Sequence, residues 1–334
     1  MKTSLVITTI YRPNNNIKKF VDGCKKNDWD LVIIGDKKTP KNFSIKYGNF
    51  ISYDNQLKLK FSFSKICPIN NYARKNIGYL VSIKNGNNII IETDDDNYPK
   101  DNFFNDIKLS KKVKEIKNAG WVNVYKKFLI NNEDIWPRGL PLNEIKKTPI
   151  FKTKKVKKNF YLQQGVCDGN PDVDAIYRII NKEINIKFKD NYCFSLGKAF
   201  SPINSQNTIW FKKLFPLMYL PVTCSMRTTD IWRGIIALNI ILNDNLSTLF
   251  FGTTMKQFRN IHNLTDDLEQ EMPLYKDVFD GFKKLQNLNL KKGSKNYIYN
   301  LLKSYNALIE MSIFDKKELF FLNAWIKDIR SILK

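Results

Sequence analysis

The chain has 334 residues, a formal net charge of +23, 43% hydrophobic and 13% aromatic side chains. That composition fills a core for one large α/β domain, or for one domain plus a smaller appendage, and it excludes a disordered or low-complexity chain. Five cysteines without framework or metal-ligand spacing exclude a disulfide scaffold, and no apolar run approaches ~20 residues, which excludes a membrane span.

Free thiols in a reducing cytoplasm are therefore expected. The positive charge suits polyanions: nucleic acid, an anionic membrane face or an acidic acceptor. The lysines are spread along a chain that is also rich in Asn and Ile, with modest clusters such as Lys152 to Lys158. No nucleic-acid-binding signature accompanies them, which disfavours nucleic acid.

Met1-Lys2-Thr3 with Leu5-Val6-Ile7 is too short for a signal peptide and ends at Arg12-Pro13. Leu5 to Ile10 reads as a first strand, with Thr8 and Thr9 at its carboxyl end. Asn14 to Cys24 carries Ile17, Phe20 and Val21 at helical spacing. Leu31 to Ile34 is a second buried strand, ending in Gly35-Asp36. Strand, helix, strand implies a right-handed parallel crossover, which sets Thr8, Thr9 and Asp36 along one ligand-binding sheet edge. Asp36 is equally a turn residue and an acceptor for a base or ribose.

Asn70 to Leu80 contains Arg74, whose planar fork suits phosphate or carboxylate, unless it is a solvated helix charge. Ile89-Ile90-Ile91 then reads as a buried strand that stops at Glu92-Thr93-Asp94-Asp95-Asp96. Adjacent carboxylates repel, so a cation or donor-rich partner is expected to neutralise them. Hard oxygen ligands suit Mg²⁺ or Mn²⁺, with shells completed by water and phosphate. A solvated acidic turn is the plainer alternative.

Ala119 to Val124 is a strand candidate. Asp134 to Leu142 holds two prolines and a glycine, so it is expected to be an ordered loop around Trp136. Asp168-Gly169-Asn170-Pro171 is turn chemistry, and Asp172 is placed to cap the helix that follows. Asp174 and Arg178, one turn apart, either pair with each other or, with Asp172, read sugar hydroxyls. Leu217 to Val222 reads as a buried strand. Thr229 or Asp230 caps an apolar helix through Leu242, and Asp230 could take a proton from a sugar hydroxyl once substrate desolvates the site. Leu249 to Gly252 is a short strand leading to His262, the only histidine. From Thr265 onward the pattern is amphipathic helix.

Several of these stretches together resemble known families. Ala73-Arg74-Lys75-Asn76 before an acid-ended strand resembles GT-A glycosyltransferases. Ile135-Trp136-Pro137-Arg138-Gly139-Leu140-Pro141-Leu142, Gln163-Gln164-Gly165, Pro171-Asp172-Val173-Asp174 with Arg178, Asn204 to Thr208, Asp230-Ile231-Trp232-Arg233-Gly234 and Arg259-Asn260 with His262 resemble the STELLO glycosyltransferase-like family. The acid triplet and Asp230-Ile231-Trp232 also resemble the reversibly glycosylated polypeptides, the UDP-arabinopyranose mutases. The resemblance runs from about Ile89 to Tyr275. It implies an α/β, GT-A (Rossmann-like) nucleotide-sugar domain over residues 1–264, with a mainly parallel mixed sheet, and a C-terminal helical region over 265–334.

On this reading the chain is a metal-dependent glycosyltransferase that uses a nucleoside-diphosphate sugar, most simply a UDP-sugar. Asp94 and Asp96, supported by Asp95, and His262 would hold Mn²⁺ or Mg²⁺. Thr8, Thr9, Asp36 and Arg74 would hold the nucleotide, and Asp172, Asp174 and Arg178 the sugar or acceptor. Asp230 would be the base of an inverting displacement. The acceptor is expected to be a glycan or lipid-linked, with an anionic one suiting the basic surface. Plant STELLO proteins carry membrane anchors and no anchor is read here, so a Golgi-type setting is not expected to transfer. A cytoplasmic location is expected, with the basic surface suiting peripheral contact at the inner membrane face. Two alternatives stay open: a nucleotide-sugar mutase on the same fold, and a non-enzymatic nucleic-acid binder.

Overall fold

The computed structural model describes residues 1–131, 133–147, 152–181, 183–260 and 262–333. Its strands are β1 (Thr3–Thr8), β2 (Asp30–Ile34), β3 (Asn49–Ile51), β4 (Ile89–Asp94), β5 (Asn97–Pro99), β6 (Ser110–Ile116) and β7 (Gly120–Trp121). After them come β8 (Thr153–Asn159), β9 (Leu162–Gly169), β10 (Cys193–Ser195), β11 (Ala199–Phe200), β12 (Thr208–Phe211) and β13 (Leu249–Gln257). The helices are α1 (Asn15–Lys26), α2 (Tyr53–Leu57), α3 (Ser62–Ile66), α4 (Lys75–Lys84) and α5 (Tyr125–Phe128). They continue with α6 (Ala175–Ile180), α7 (Thr229–Asn243), α8 (Leu264–Gln286), α9 (Tyr297–Glu310) and α10 (Glu318–Ile332).

The main sheet runs β3-β2-β1-β4-β12-β9-β13-β10-β6-β8, with β5 paired to β13. The first four strands are mutually parallel. Antiparallel pairs enter with β12, so the sheet is mixed, as the class of fold expected from the sequence requires. β7 and β11 form a separate parallel pair.

The first crossover sets the geometry. β1 feeds α1, whose Ile17, Phe20, Val21 and Cys24 are buried. The chain then lays β2 on one side of β1, and after α4 it lays β4 on the other. A strand whose two successors fall on opposite sides marks a topological switch point, with a crevice beyond the carboxyl ends. The register pairs Thr8 with Asp94 there, so Thr9 and Asp95 leave the sheet side by side. Helix α4 lies close on this part of the sheet because Gly78 has no side chain: a Cβ there would meet Val6 Cγ1 at 2.5 Å.

The C-terminal helices expected from the sequence are present, and they share one core with the sheet. Leu301, Leu308, Leu322, Trp325 and Ile329 belong to the same buried cluster as Val6, Ile77, Trp210 and Ile235. Two buried carboxylates fasten them. Asp328 accepts from the backbone N–H groups of Ser62 and Phe63, both at 2.8 Å. Glu318 accepts from the Tyr219 hydroxyl at 2.5 Å and from the Val222 and Thr223 N–H groups. No helix among the described residues is long and apolar enough to cross a membrane.

Three local expectations are corrected. Leu217 to Val222 is not a strand: Lys212–Met218 forms a 3₁₀ helix containing Pro216, and Pro221 follows. The helix after the Asp168 turn is capped by Asp174, not Asp172, with Tyr177 N donating to Asp174 Oδ1 at 2.8 Å. The α7 cap position is Thr228, which places Asp230 inside the first turn.

Candidate active site

The acid cluster sits at the end of β4 and is mostly sheltered. Asp95 and Asp96 are each 9% exposed. Asp95 accepts from Thr9 Oγ1 at 2.6 Å, and its backbone carbonyl accepts from the Asn14 and Asn16 side chains. Asp96 accepts from Gln257 Nε2 at 2.9 Å, and its carbonyl accepts from Phe258 N. The end of β13 thus closes over the acids. Burial pushes the Asp95 carboxyl up to about 6, against the Thr9 bond that holds it down. Burial and then the Asp94 charge push Asp96 up to about 7. Asp95 and Asp96 have no ion pair among the described residues, and a cation would supply that counter-charge.

Asp94 is held by a pair the sequence reading missed. Lys75 Nζ lies 2.7 Å from Asp94 Oδ1, and the Tyr72 hydroxyl donates to the same oxygen at 2.7 Å. Tyr72 and Lys75 are three residues apart where a 3₁₀ turn enters α4, so both reach the same side. Arg74 between them points elsewhere. Its guanidinium is 1% exposed and donates to Gln56 Oε1 and to the Cys67 and Pro68 carbonyls. Asp36 is likewise spent on the chain, accepting from Lys37, Asn70 and Asn71 N–H groups with Arg74 Nε at 4.0 Å. The structure brings Asp36 and Arg74 together as the frame of the loop that presents Tyr72 and Lys75.

A second polar network lies behind the cluster. Arg138, from the Pro-rich loop, grips Asp172 through Nε at 2.8 Å and Nη2 at 2.9 Å. The same guanidinium reaches Asp230 at 3.1 Å through both terminal nitrogens. All three residues are buried. Burial opposes the Asp172 charge, but Arg138 outweighs it and holds that carboxyl below its ordinary range. Asp230 also accepts from Ser205 N at 3.2 Å and Ser205 Oγ at 3.3 Å. Ser205 Oγ meets the Tyr72 hydroxyl, which joins the two networks. The path Lys75–Asp94–Tyr72–Ser205–Asp230–Arg138–Asp172 is therefore continuous.

The other expected residues fall into two groups. Thr8 stands opposite Asp94 in the register, and Thr9 is on Asp95. Asp174 is a cap, and its second oxygen accepts from Trp136 Nε1 at 2.6 Å. Asp174 and Arg178 do not pair. Arg178 instead binds the Asn170 side chain and the Pro171 carbonyl, and its buried Nε has no partner. Burial and then the nearby Arg259 hold its pKa down to about 9.

His262 is drawn away from the acids to the start of α8, with Nδ1 3.4 Å from Asp267 Oδ1. Arg259 holds the same carboxylate at 2.6 Å. Among the described residues no group of three or more His, Cys, Asp or Glu side chains stands ready to hold a metal ion. The expected triad of Asp94, Asp96 and His262 is thus not assembled. What remains fits a cation that takes one or two carboxylates and completes its shell from water and substrate phosphate, the habit of Mg²⁺ and Mn²⁺. It does not fit a closed protein cage.

Residues 227–333 match the family model described as STELLO glycosyltransferases. Probable glycosyltransferase STELLO1 of Arabidopsis thaliana is 26% identical over 355 aligned residues, covering 98% of this chain and 44% of that protein. Probable glycosyltransferase STELLO2 of the same plant is 28% identical over 257 residues, covering 69% of this chain and 32% of that protein. The chain thus spans less than half the length of these curated relatives. A solved structure described as "Crystal Structure of a Mycobacterial Protein" superposes with a TM-score of 0.45 at 11% identity, over 84% of this chain and 74% of that one. The similarity reaches beyond the stretch from Ile89 to Tyr275 and takes in the C-terminal helices. The chain is thus similar in sequence to STELLO1 along nearly all of its length, and to the STELLO family model over residues 227–333.

Proposed function

We propose that the protein is a glycosyltransferase that uses a nucleoside-diphosphate sugar, most simply a UDP-sugar. The observation that carries this reading is the acid cluster at the β1/β4 switch point, joined by hydrogen bonds to Asp230. Similarity to the STELLO proteins supports the reaction class.

Asp94 and Asp96 would hold Mg²⁺ or Mn²⁺, with Asp95 fixed behind them by Thr9. A bound divalent ion would neutralise charge on the departing diphosphate. Lys75 orients Asp94, and Gln257 orients Asp96. Thr8 borders the nucleotide, while Asp36 and Arg74 brace that wall. Asp172 is fixed by Arg138 and by Asn204 Nδ2 at 2.9 Å, so it helps shape the sugar side of the cleft. Arg178, a buried guanidinium with no carboxylate partner among the described residues and a free N–H, suits an oxygen of the sugar or acceptor. Asp230 would take the acceptor's hydroxyl proton where Ser205 Oγ now donates, and direct displacement would invert the anomeric centre. The acceptor would be a glycan or a lipid-linked sugar.

A thermal-shift screen of nucleoside diphosphates and their sugars, with and without Mn²⁺, tests the reading. A Mn²⁺-dependent rise with a UDP-sugar that disappears in Asp96→Asn is expected. No stabilisation by any nucleotide would overturn it. Product stereochemistry then tests inversion, since a retained anomer removes Asp230 as the base.

A further inference from the structure

The far end of the sheet carries an array that the catalytic reading does not use. β6 and β8 are antiparallel, and the register sets Lys112 opposite Lys157 and Lys114 opposite Lys155. Directly opposed residues share a face and stand about 5 Å apart at Cβ. All four lysines are exposed, and so are Ser110, Thr153 and Asn159 on the same face. No ion pair or hydrogen bond engages the four ammonium groups among the described residues. On the opposite face two lysines are neutralised: buried Glu115 holds Lys158 at 2.6 Å and Lys154 at 3.4 Å.

Like charges directly opposed across strands cost stability. Lysine on an edge strand has one ordinary use, which is to block edge-to-edge pairing. That accounts for β8, which ends the sheet. It does not account for Lys114, because β6 is paired there to β10 on one side and to β8 on the other. Lys114 therefore has no edge-blocking role, and it and Lys112 each sit against another lysine.

We propose that this β6–β8 lysine face docks the protein against an anionic lipid bilayer. The four lysines lie on one face of two paired strands, which presents their charges together to a charged surface. Single-stranded nucleic acid is gripped in a groove with aromatic rings for stacking, and this face carries no aromatic residue. A free two-stranded ribbon can enter the DNA major groove, but β6 is tied to β10 and cannot. Polybasic clusters bind anionic leaflets additively and release in salt. The inference is independent of whether the chain transfers sugars.

Vesicle flotation tests it, using phosphatidylcholine vesicles with about a third phosphatidylserine, against pure phosphatidylcholine. The intact protein should float with the anionic vesicles at low salt and release as salt rises. A variant with Lys112, Lys114, Lys155 and Lys157 all changed to Gln should lose at least about tenfold in vesicle affinity. It should melt no lower than the parent, because only exposed, mutually repelling charges are removed. A second variant with Lys25, Lys26, Lys316 and Lys317 changed to Gln carries the same net charge and should float like the parent. Equal losses in both variants, or no loss in the first, would overturn the proposal. So would a preference for RNA oligonucleotides over the vesicles that depends on the same four lysines.

Discussion

Lys75 is fully buried and places its ammonium 2.7 Å from Asp94 Oδ1, the carboxylate at the tip of β4. The same ammonium lies 2.8 Å from the Tyr72 hydroxyl. One cation on the first turn of α4 thus sets the position of the acid that the proposed metal site would use. Lys75→Met keeps the length of the side chain and removes the charge. It should cost about 1.5–3 kcal/mol of stability, the range for a hydrogen bond to a charged group. Nucleotide affinity should fall about tenfold as Asp94 loses its fixed orientation. Urea midpoints and calorimetric titration of UDP with Mn²⁺ measure the two effects, and an unchanged titration would show that Lys75 serves only the fold.

Tyr72 and Ser205 join the acid cluster to Asp230, so their effects should not add. Tyr72→Phe and Ser205→Ala each remove one hydroxyl of a single path. Each single change should slow transfer, and the double change should cost less than the sum. Groups in one hydrogen-bond network couple by about 0.5–3 kcal/mol. A double-mutant cycle on kcat/KM reads this coupling directly. Strict additivity would mean that the two halves of the site work independently.

The place of the candidate site in the fold was more legible in the sequence than its wiring. A β-branched run ending in three acids, preceded by strand, helix, strand, identifies a switch point because chain order and parallel crossover leave few topologies. The same logic could not separate Arg74 from Lys75. They are neighbours in sequence, and the choice between them depends on a 3₁₀ turn that rotates Tyr72 and Lys75 toward β4 and Arg74 toward Gln56. Arg138 was visible in an apolar, proline-rich loop, but nothing local says that its fork spans two acids from distant segments. β6 and β8 escaped notice because alternating lysines replace the apolar residues that mark a strand. His262 looked like a ligand by its place after β13, and Asp267 takes it because the start of α8 presents that acid to it.

Asp267 gives the protein an acid limit. Burial favours its neutral form, but His262, Arg227 and Arg259 together outweigh burial and bring the carboxyl down to about 2. A carboxyl held below its unfolded value adds stability that is complete above that value, 3.8 here, and is lost as pH falls from there toward about 2. Asp267→Asn should be less stable than the parent at neutral pH and converge with it in acid. Denaturant midpoints for both proteins between about pH 2 and 7 show it. A gap between the two that stayed constant with pH would contradict the assignment.

The same strand that ends in the acid cluster is pinned from within by Glu92. This carboxylate is 0% exposed and lies 2.8 Å from Arg233 Nη1 on α7, and it accepts from Trp210 Nε1 at 2.7 Å and from the Tyr79 hydroxyl. Arg233 also donates to the Asn204 carbonyl at 3.1 Å, next to Ser205. The pair therefore fixes β4 against the helix that carries Asp230. Glu92→Gln leaves a buried guanidinium without its counter-charge, which costs about 3–5 kcal/mol. Replacing both partners, Glu92→Gln with Arg233→Met, removes the stranded charge and should recover much of that loss. Guanidinium unfolding of the parent, the single and the double variant decides the matter. A single variant within about 1 kcal/mol of the parent would mean that Arg233 finds other acceptors and that β4 does not depend on this pair.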